Sequence, residues 1–261
     1  MEGKLPKDWK RFYREERQRY PERIDMEIDR WSGEAKILPD PGGSCLSFPH
    51  TSIEWSLIPV TRTALWALEA EVPRVAAIGV MHRVSGGDPE NEFSLDSFRH
   101  ILGRAADRLD IDMPEVKEEF LPRHREVLFD LDLAVSTFRE EGARIGEGLE
   151  PGTPIVMTGD LRHYGYGYGT TPPVREDSED LMRDVRIGLD MVYKEKDPRG
   201  YLEHSIEVLN DQAAAAIAVS ELLGDPLDYS VLSAEMSDYS GILNERKPTL
   251  VASVFYEVHK V

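Results

Sequence analysis

The chain has 261 residues, 41% hydrophobic and 31% charged, the proportions of a globular protein long enough to bury one large core. Its formal net charge of −18 makes a surface that repels phosphate backbones and anionic lipid, so neither nucleic acid nor membrane is an expected partner. One cysteine, Cys45, excludes an intramolecular disulfide or a cysteine-cluster zinc site, and the charged start with no apolar run of ~18 residues points to a cytoplasmic protein.

Residues 4–30 mix both signs of charge with Trp9, Phe12, Tyr13 and Tyr20. The pattern predicts an amphipathic arm, helical up to Pro21, that lies on the body of the protein or on a second copy and so offers a route to a homo-oligomer. Residues 31–261 read as a single α/β domain, since no Pro/Gly/Ser linker divides them.

Short apolar runs then alternate with helical patterns. "SCLSF" (44–48) leads into a helix around 56–71, and "RVAAIGVM" (74–81) leads through a Gly/Asp/Pro loop into a helix over 94–109. The whole of 114–150 reads as helical, "PIVMTG" (154–159) precedes a helix near 176–193, and "SIEVLNDQAAAAIAVSELLGD" (205–225) reads as one helix that Gly224 terminates. "YSVLSAEM" (229–236) and "TLVASVFYEV" (249–258) close the chain. Continuous apolar runs between helices predict a three-layer αβα fold with a mainly parallel central sheet, the last run being an edge or antiparallel strand.

Three of the seven histidines share one address. His50 follows "CLSFP", His82 follows "VAAIGVM", and His163 lies four residues past "PIVMTG", each just beyond the carboxyl end of a predicted buried strand. Ligand sites of open α/β sheets form at that edge. Converging imidazoles suit iron, zinc or copper, and a carboxylate would complete a set with open positions. A histidine at a strand end is also a common hydrogen-bonded structural residue, and both readings stand at this point.

The same stretches resemble the Memo family. "FPHTSIEWS" (48–56) resembles its "SPHAGYxYSG" signature, "RVAAIGVMH" (74–82) its strand ending in Gly-Pro-Ser-His, and "MTGDLRHYG" (157–165) its "SSDFxHWG" element, in the same order. Two features differ: Thr51-Ser52 follows His50, and no "EHSIE" element stands between the second and third motifs. The family is related in fold to class III extradiol dioxygenases, non-haem iron enzymes that open catechol-like rings. The resemblance implies that His50 and His82 are metal ligands and that His163 is the acid/base beside the metal, with Asp160 as its companion. It places the remaining ligand in "EVLNDQAAAA" (207–216), where Asp211 is the first choice, Glu207 the next and Asn210 a weak one. Fe(II) is the implied metal, with zinc or copper as alternatives.

The resemblance therefore implies an Fe(II)-dependent oxygenase acting on a small chelating aromatic substrate. The alternative is a metal- or ligand-binding factor without ring cleavage, working through protein partners; a metal-dependent hydrolase is a third reading. Arg162, Tyr164 and Tyr166 are candidate substrate contacts, the Tyr-Gly repeat forming an aromatic rim that could stack on a flat molecule. The glycines at 165, 167 and 169 match neither a P-loop nor a dinucleotide fingerprint, and no G-x-S-x-G elbow occurs.

Overall fold

Four of the strands run parallel, in the spatial order β3-β2-β4-β1: β1 (Ser44–Phe48), β2 (Arg74–Met81), β3 (Glu115–Pro122) and β4 (Ile155–Thr158). They are seen in a computed structural model that describes residues 9–32, 38, 43–81, 93–122, 130–170 and 178–261. Apolar side chains on both faces of these strands demand cover on both sides, and helices provide it. On one face Leu46, Ala77, Val156 and Phe255 pack with α2 (Pro21–Trp31), α3 (Ile53–Glu69) and α4 (Asp96–Leu109). On the other Cys45, Ile78, Met157 and Val254 pack with α5 (Leu131–Glu147), α6 (Ser178–Leu189), α7 (Pro198–Glu207) and α8 (Ala213–Leu223). The alternation of neighbouring residues between the two cores follows from the period of two along a strand.

The C-terminal strand β7 (Thr249–Lys260) runs antiparallel to β1 and forms, with β6 (Leu227–Asp238), the antiparallel edge pair. A short strand, β5 (Arg162–Gly165), also pairs with β7, at residues 249–252, whereas β1 pairs at 256–259. Because β6 occupies one edge of β7 along nearly its full length, β1 and β5 must share the other, end to end. The chain therefore leaves β4 on one side of β1 and crosses the carboxyl end of β1 to enter β5 on the other.

Three expectations are corrected. Residues 115–122, read as helix, form β3, which pairs with β2 at the sheet edge; there its alternate charged residues, Glu115, Lys117 and Glu119, are tolerated. The helix expected over 205–225 is two helices broken at Val208–Gln212, where Leu209 adopts a left-handed φ of +55°. Its alanine-rich half does pack closely: a Cβ on Gly142 of α5 would lie 2.2 Å from the carbonyl oxygen of Ala218. Finally, helix does not stop at Pro21. α1 (Trp9–Arg19) ends before it, and Pro21 opens α2, where a missing N–H costs nothing. Ile24 and Ile28 of α2 are fully buried against α3 and α4, and Arg104 clamps Asp25 at 2.5 and 2.8 Å.

Candidate metal centre

The crossing at the end of β1 brings the polar residues of three chain segments together. β1 delivers His50 two residues past its end. β4 runs parallel to β1 with Thr158 opposite Phe48, and the chain then turns through Gly159 and Asp160. Thr158 Oγ1 (3.0 Å) and Gly159 N–H (3.3 Å) both donate to the Phe48 carbonyl, binding the crossing to the end of β1. Gly159 is needed for close approach, since a Cβ there would lie 2.4 Å from Gln212 Cβ. His163 follows on β5, and the break between α7 and α8 supplies Asp211 from the third direction.

Asp160 and Asp211 are 3% and 2% exposed, and they grip each other's backbone. Asp160 N–H donates to Asp211 Oδ1 at 2.7 Å, and Asp211 N–H donates to the Asp160 carbonyl at 3.2 Å. His50 Nε2 then lies 3.3 Å from Asp211 Oδ2 and 3.5 Å from Asp160 Oδ2. His163 Nε2 stands 3.8 Å from each of the same two oxygens. Two imidazoles and two carboxylates thus point at one place.

The α7–α8 break is built to hold this arrangement. Leu209, strained into positive φ, turns its carbonyl onto His163 Nδ1 at 2.7 Å, and Val208 accepts the His163 backbone N–H at 3.0 Å. A carbonyl only accepts, so Nδ1 carries the proton, and Nε2 is left to face the two carboxylates. Asn210 binds Tyr201 and Ser205 through its Nδ2 and accepts the Gln212 N–H at 2.8 Å. Gln212, with no exposed surface, donates to Ser47 of β1 at 2.7 Å and accepts from Tyr256 of β7 at 2.5 Å. Asp211 lies between these two anchored residues.

A buried carboxylate pair is costly unless a cation compensates it. The distances fit a metal ion as that cation. Ligand atoms held about 2.0–2.2 Å from a metal ion stand roughly 3.0–3.6 Å from one another. The His50 separations fall in that range and exceed ordinary hydrogen-bond lengths. Donor atoms of His50, Asp160 and Asp211 all lie within 4.8 Å of one another, so the three residues fit a single metal ion. His163 Nε2, 3.8 Å from each Oδ2, lies beside the three rather than among them.

The expected site residues divide clearly. His50, Asp160, His163 and Asp211 are brought together, while His82 lies outside the described residues. Glu207 closes α7 as an exposed residue, and Asn210 serves the turn. Arg162 and Tyr164 flank His163 on a strand, so they project to the opposite face from it. Arg162 pairs with Asp184 of α6 and lies 5.2 Å over the Tyr164 ring. Tyr166 is 42% exposed under Arg246. The aromatic residue that meets His163 is Tyr168, edge-on at 4.9 Å, in a turn that Gly167 N–H fastens to Thr249.

Residues with no expected role also reach the site. Glu16 of α1 is buried against the start of α3, accepting from Ser52 Oγ and from Ile53 N–H at 2.9 Å, directly after His50. Burial lifts its carboxyl above the usual range, partly offset by those donors. Tyr239, before the short helix α9 (Ser240–Leu243), accepts Ser52 N–H at 2.6 Å. Among the described residues no helix is long and apolar enough to cross a membrane. No protein-family model and no curated protein matches the sequence, so the reading of this site rests on its geometry and on the residues themselves.

Proposed function

We propose that the chain holds one divalent metal ion between His50, Asp160 and Asp211 and works as an Fe(II)-dependent oxygenase of the extradiol dioxygenase type, in a Memo-like family, on a small chelating aromatic substrate. The observation that carries this reading is the fixed tautomer of His163. Its Nδ1–H is held by Leu209, and its Nε2 faces the same point as His50 Nε2 and both Oδ2 atoms. An imidazole so anchored can take a proton on Nε2 and return it without rotating, which is what a general base turning general acid requires. Asp160 and Asp211 supply the negative charge that steadies the protonated form. The bound metal would supply Lewis acidity toward substrate oxygens and, as Fe(II), redox chemistry with O₂. The family resemblance adds His82 to the ligand set, and zinc or copper remain the alternative metals.

Anaerobic reconstitution with Fe(II), followed by oxygen uptake over a panel of catechols, tests the reading. The wild type should consume oxygen, and His163→Ala should keep the metal but lose turnover. His82→Ala should weaken metal binding. A loaded protein that consumes no oxygen with any catechol would contradict the oxygenase and favour the alternative, a binding factor acting through protein partners.

A further inference from the structure

A cavity of about 180 Å³ opens among the helices that cover the second face of the sheet. Val192, Pro198 and Ile217 line it with apolar surface, and two ion pairs, Arg139 with Glu221 and Lys196 with Asp225, add both signs of charge. Its volume is that of roughly six waters, enough for a molecule the size of a small amino acid. Pro198 opens α7, whose ten residues, roughly 15 Å of helix, separate it from the turn that carries Asp211.

Lys196 is built into this cavity in an unusual way. Its φ of +59° is left-handed, a conformation that a residue with a Cβ holds under strain. A surface lysine ordinarily lays its stem on the protein and keeps its ammonium in water. Here the order is inverted: the side chain is 33% exposed, yet Nζ is out of contact with solvent and meets the Asp225 carboxylate. That nitrogen carries three donors, and among the described residues Asp225 is their one partner. The residues before it form a π-helical turn, Asp190–Lys194, which Ser220 of α8 fastens by donating to the Val192 carbonyl at 3.2 Å. Strained backbone and π-helical turns both concentrate at functional sites.

Two cations and two anions give these walls no net charge, so they favour neither a lone anion nor a lone cation. They suit a molecule that carries one charge of each sign. Arg139 and Asp225 are more than half exposed, and ion pairs so exposed hold weakly, so each pair can open to a ligand.

We propose that this cavity binds a small zwitterion of the α-amino-acid type. Its carboxylate is taken by Arg139 and Lys196, its ammonium by Glu221 and Asp225, and its short apolar side chain by Val192, Pro198 and Ile217. The site is independent of the metal centre and of the activity assigned to it.

Titration calorimetry on the full chain tests this with L-alanine, L-valine and L-leucine, in chelator so that no metal ion recruits the ligand. Isocaproate, which is leucine without the ammonium, and isoamylamine, which is leucine without the carboxylate, serve as singly charged controls. At least one of the amino acids should bind, and each control should bind about tenfold more weakly or worse than leucine, as loss of a charged hydrogen bond does. Lys196→Gly should weaken amino-acid binding by a similar factor while its melting temperature stays near that of the wild type, because glycine adopts positive φ freely. Arg139→Gln should weaken it likewise. A wild type that binds none of the three amino acids would overturn the proposal. Isocaproate or isoamylamine binding as tightly as leucine would overturn it in favour of a simple anion or cation site. Unchanged affinity of both variants would also overturn it, since the ligand would then bind elsewhere.

Discussion

Replacing Asp211 by Asn should stabilise the metal-free protein and destabilise the metal-loaded one relative to wild type. The substitution keeps an oxygen where Oδ1 accepts Asp160 N–H at 2.7 Å, so the local fold keeps its bond. What it removes is one of two carboxylates whose donor atoms lie within 4.8 Å. At an effective dielectric of about 20, two like charges at that separation repel by roughly 3 kcal/mol. Screening and local relaxation offset part of this, leaving a net gain of about 1–2 kcal/mol. For a chain of this size that is a rise in melting temperature of about 3–6 °C in the presence of a chelator. With Zn(II) at about a hundred times its dissociation constant, wild type gains about 2.7 kcal/mol, and the variant, missing a ligand, gains far less. The order of stability should therefore reverse between chelator and metal, readable by thermal denaturation under both conditions. A variant less stable than wild type in chelator, or one stabilised by metal to the same extent, would refute the reasoning.

Three further outcomes follow from the packing. Gly159→Ala would place a Cβ 2.4 Å from Gln212 Cβ and 2.9 Å from Gln212 Cα; pushing the start of α8 away should cost about 1–3 kcal/mol in urea unfolding. Burial holds the Glu16 carboxyl above its ordinary value of 4.5, so its ionisation opposes folding. Its contribution is most favourable below that ordinary value and is lost as pH rises through the raised one, so Glu16→Gln should flatten the fall in urea midpoint that sets in as pH rises above the ordinary value. Cys45 is fully buried, and burial raises its thiol far above the ordinary range; Ellman's reagent should label it only after unfolding.

The layered fold was legible because strands buried on both faces leave continuous apolar runs, as at 74–81 and 154–158. β3 was not, since an edge strand can carry charge at alternate positions and "EVKEEF" lacks an apolar run. The strand-end address found His50 and His163, Asp160 stood three residues before His163, and Asp211 was reached through the family resemblance. It could not show that Asp160 sits as close to His50 as Asp211 does, because that depends on the chain crossing over the end of β1. Arg162 and Tyr164 were grouped with His163 by sequence proximity. Reading 162–165 as a strand would have sent them to the opposite face. The break at Leu209 carries no glycine or proline to mark it, and its strain is sustained by contacts with β5. Glu16 reaches Ser52 and Ile53 across a long sequence separation, where an amphipathic pattern says which face is buried but not against what.

The central claim is that one metal ion lies among His50, Asp160 and Asp211 with His163 beside it. Crystals grown with Mn(II) or Zn(II), measured with anomalous scattering at the metal edge, test this directly. The account predicts a single strong peak about 2.0–2.2 Å from His50 Nε2 and from an oxygen of each aspartate, with His163 Nε2 farther away. No peak there, or a peak elsewhere with the four side chains bonded directly to one another, would contradict it.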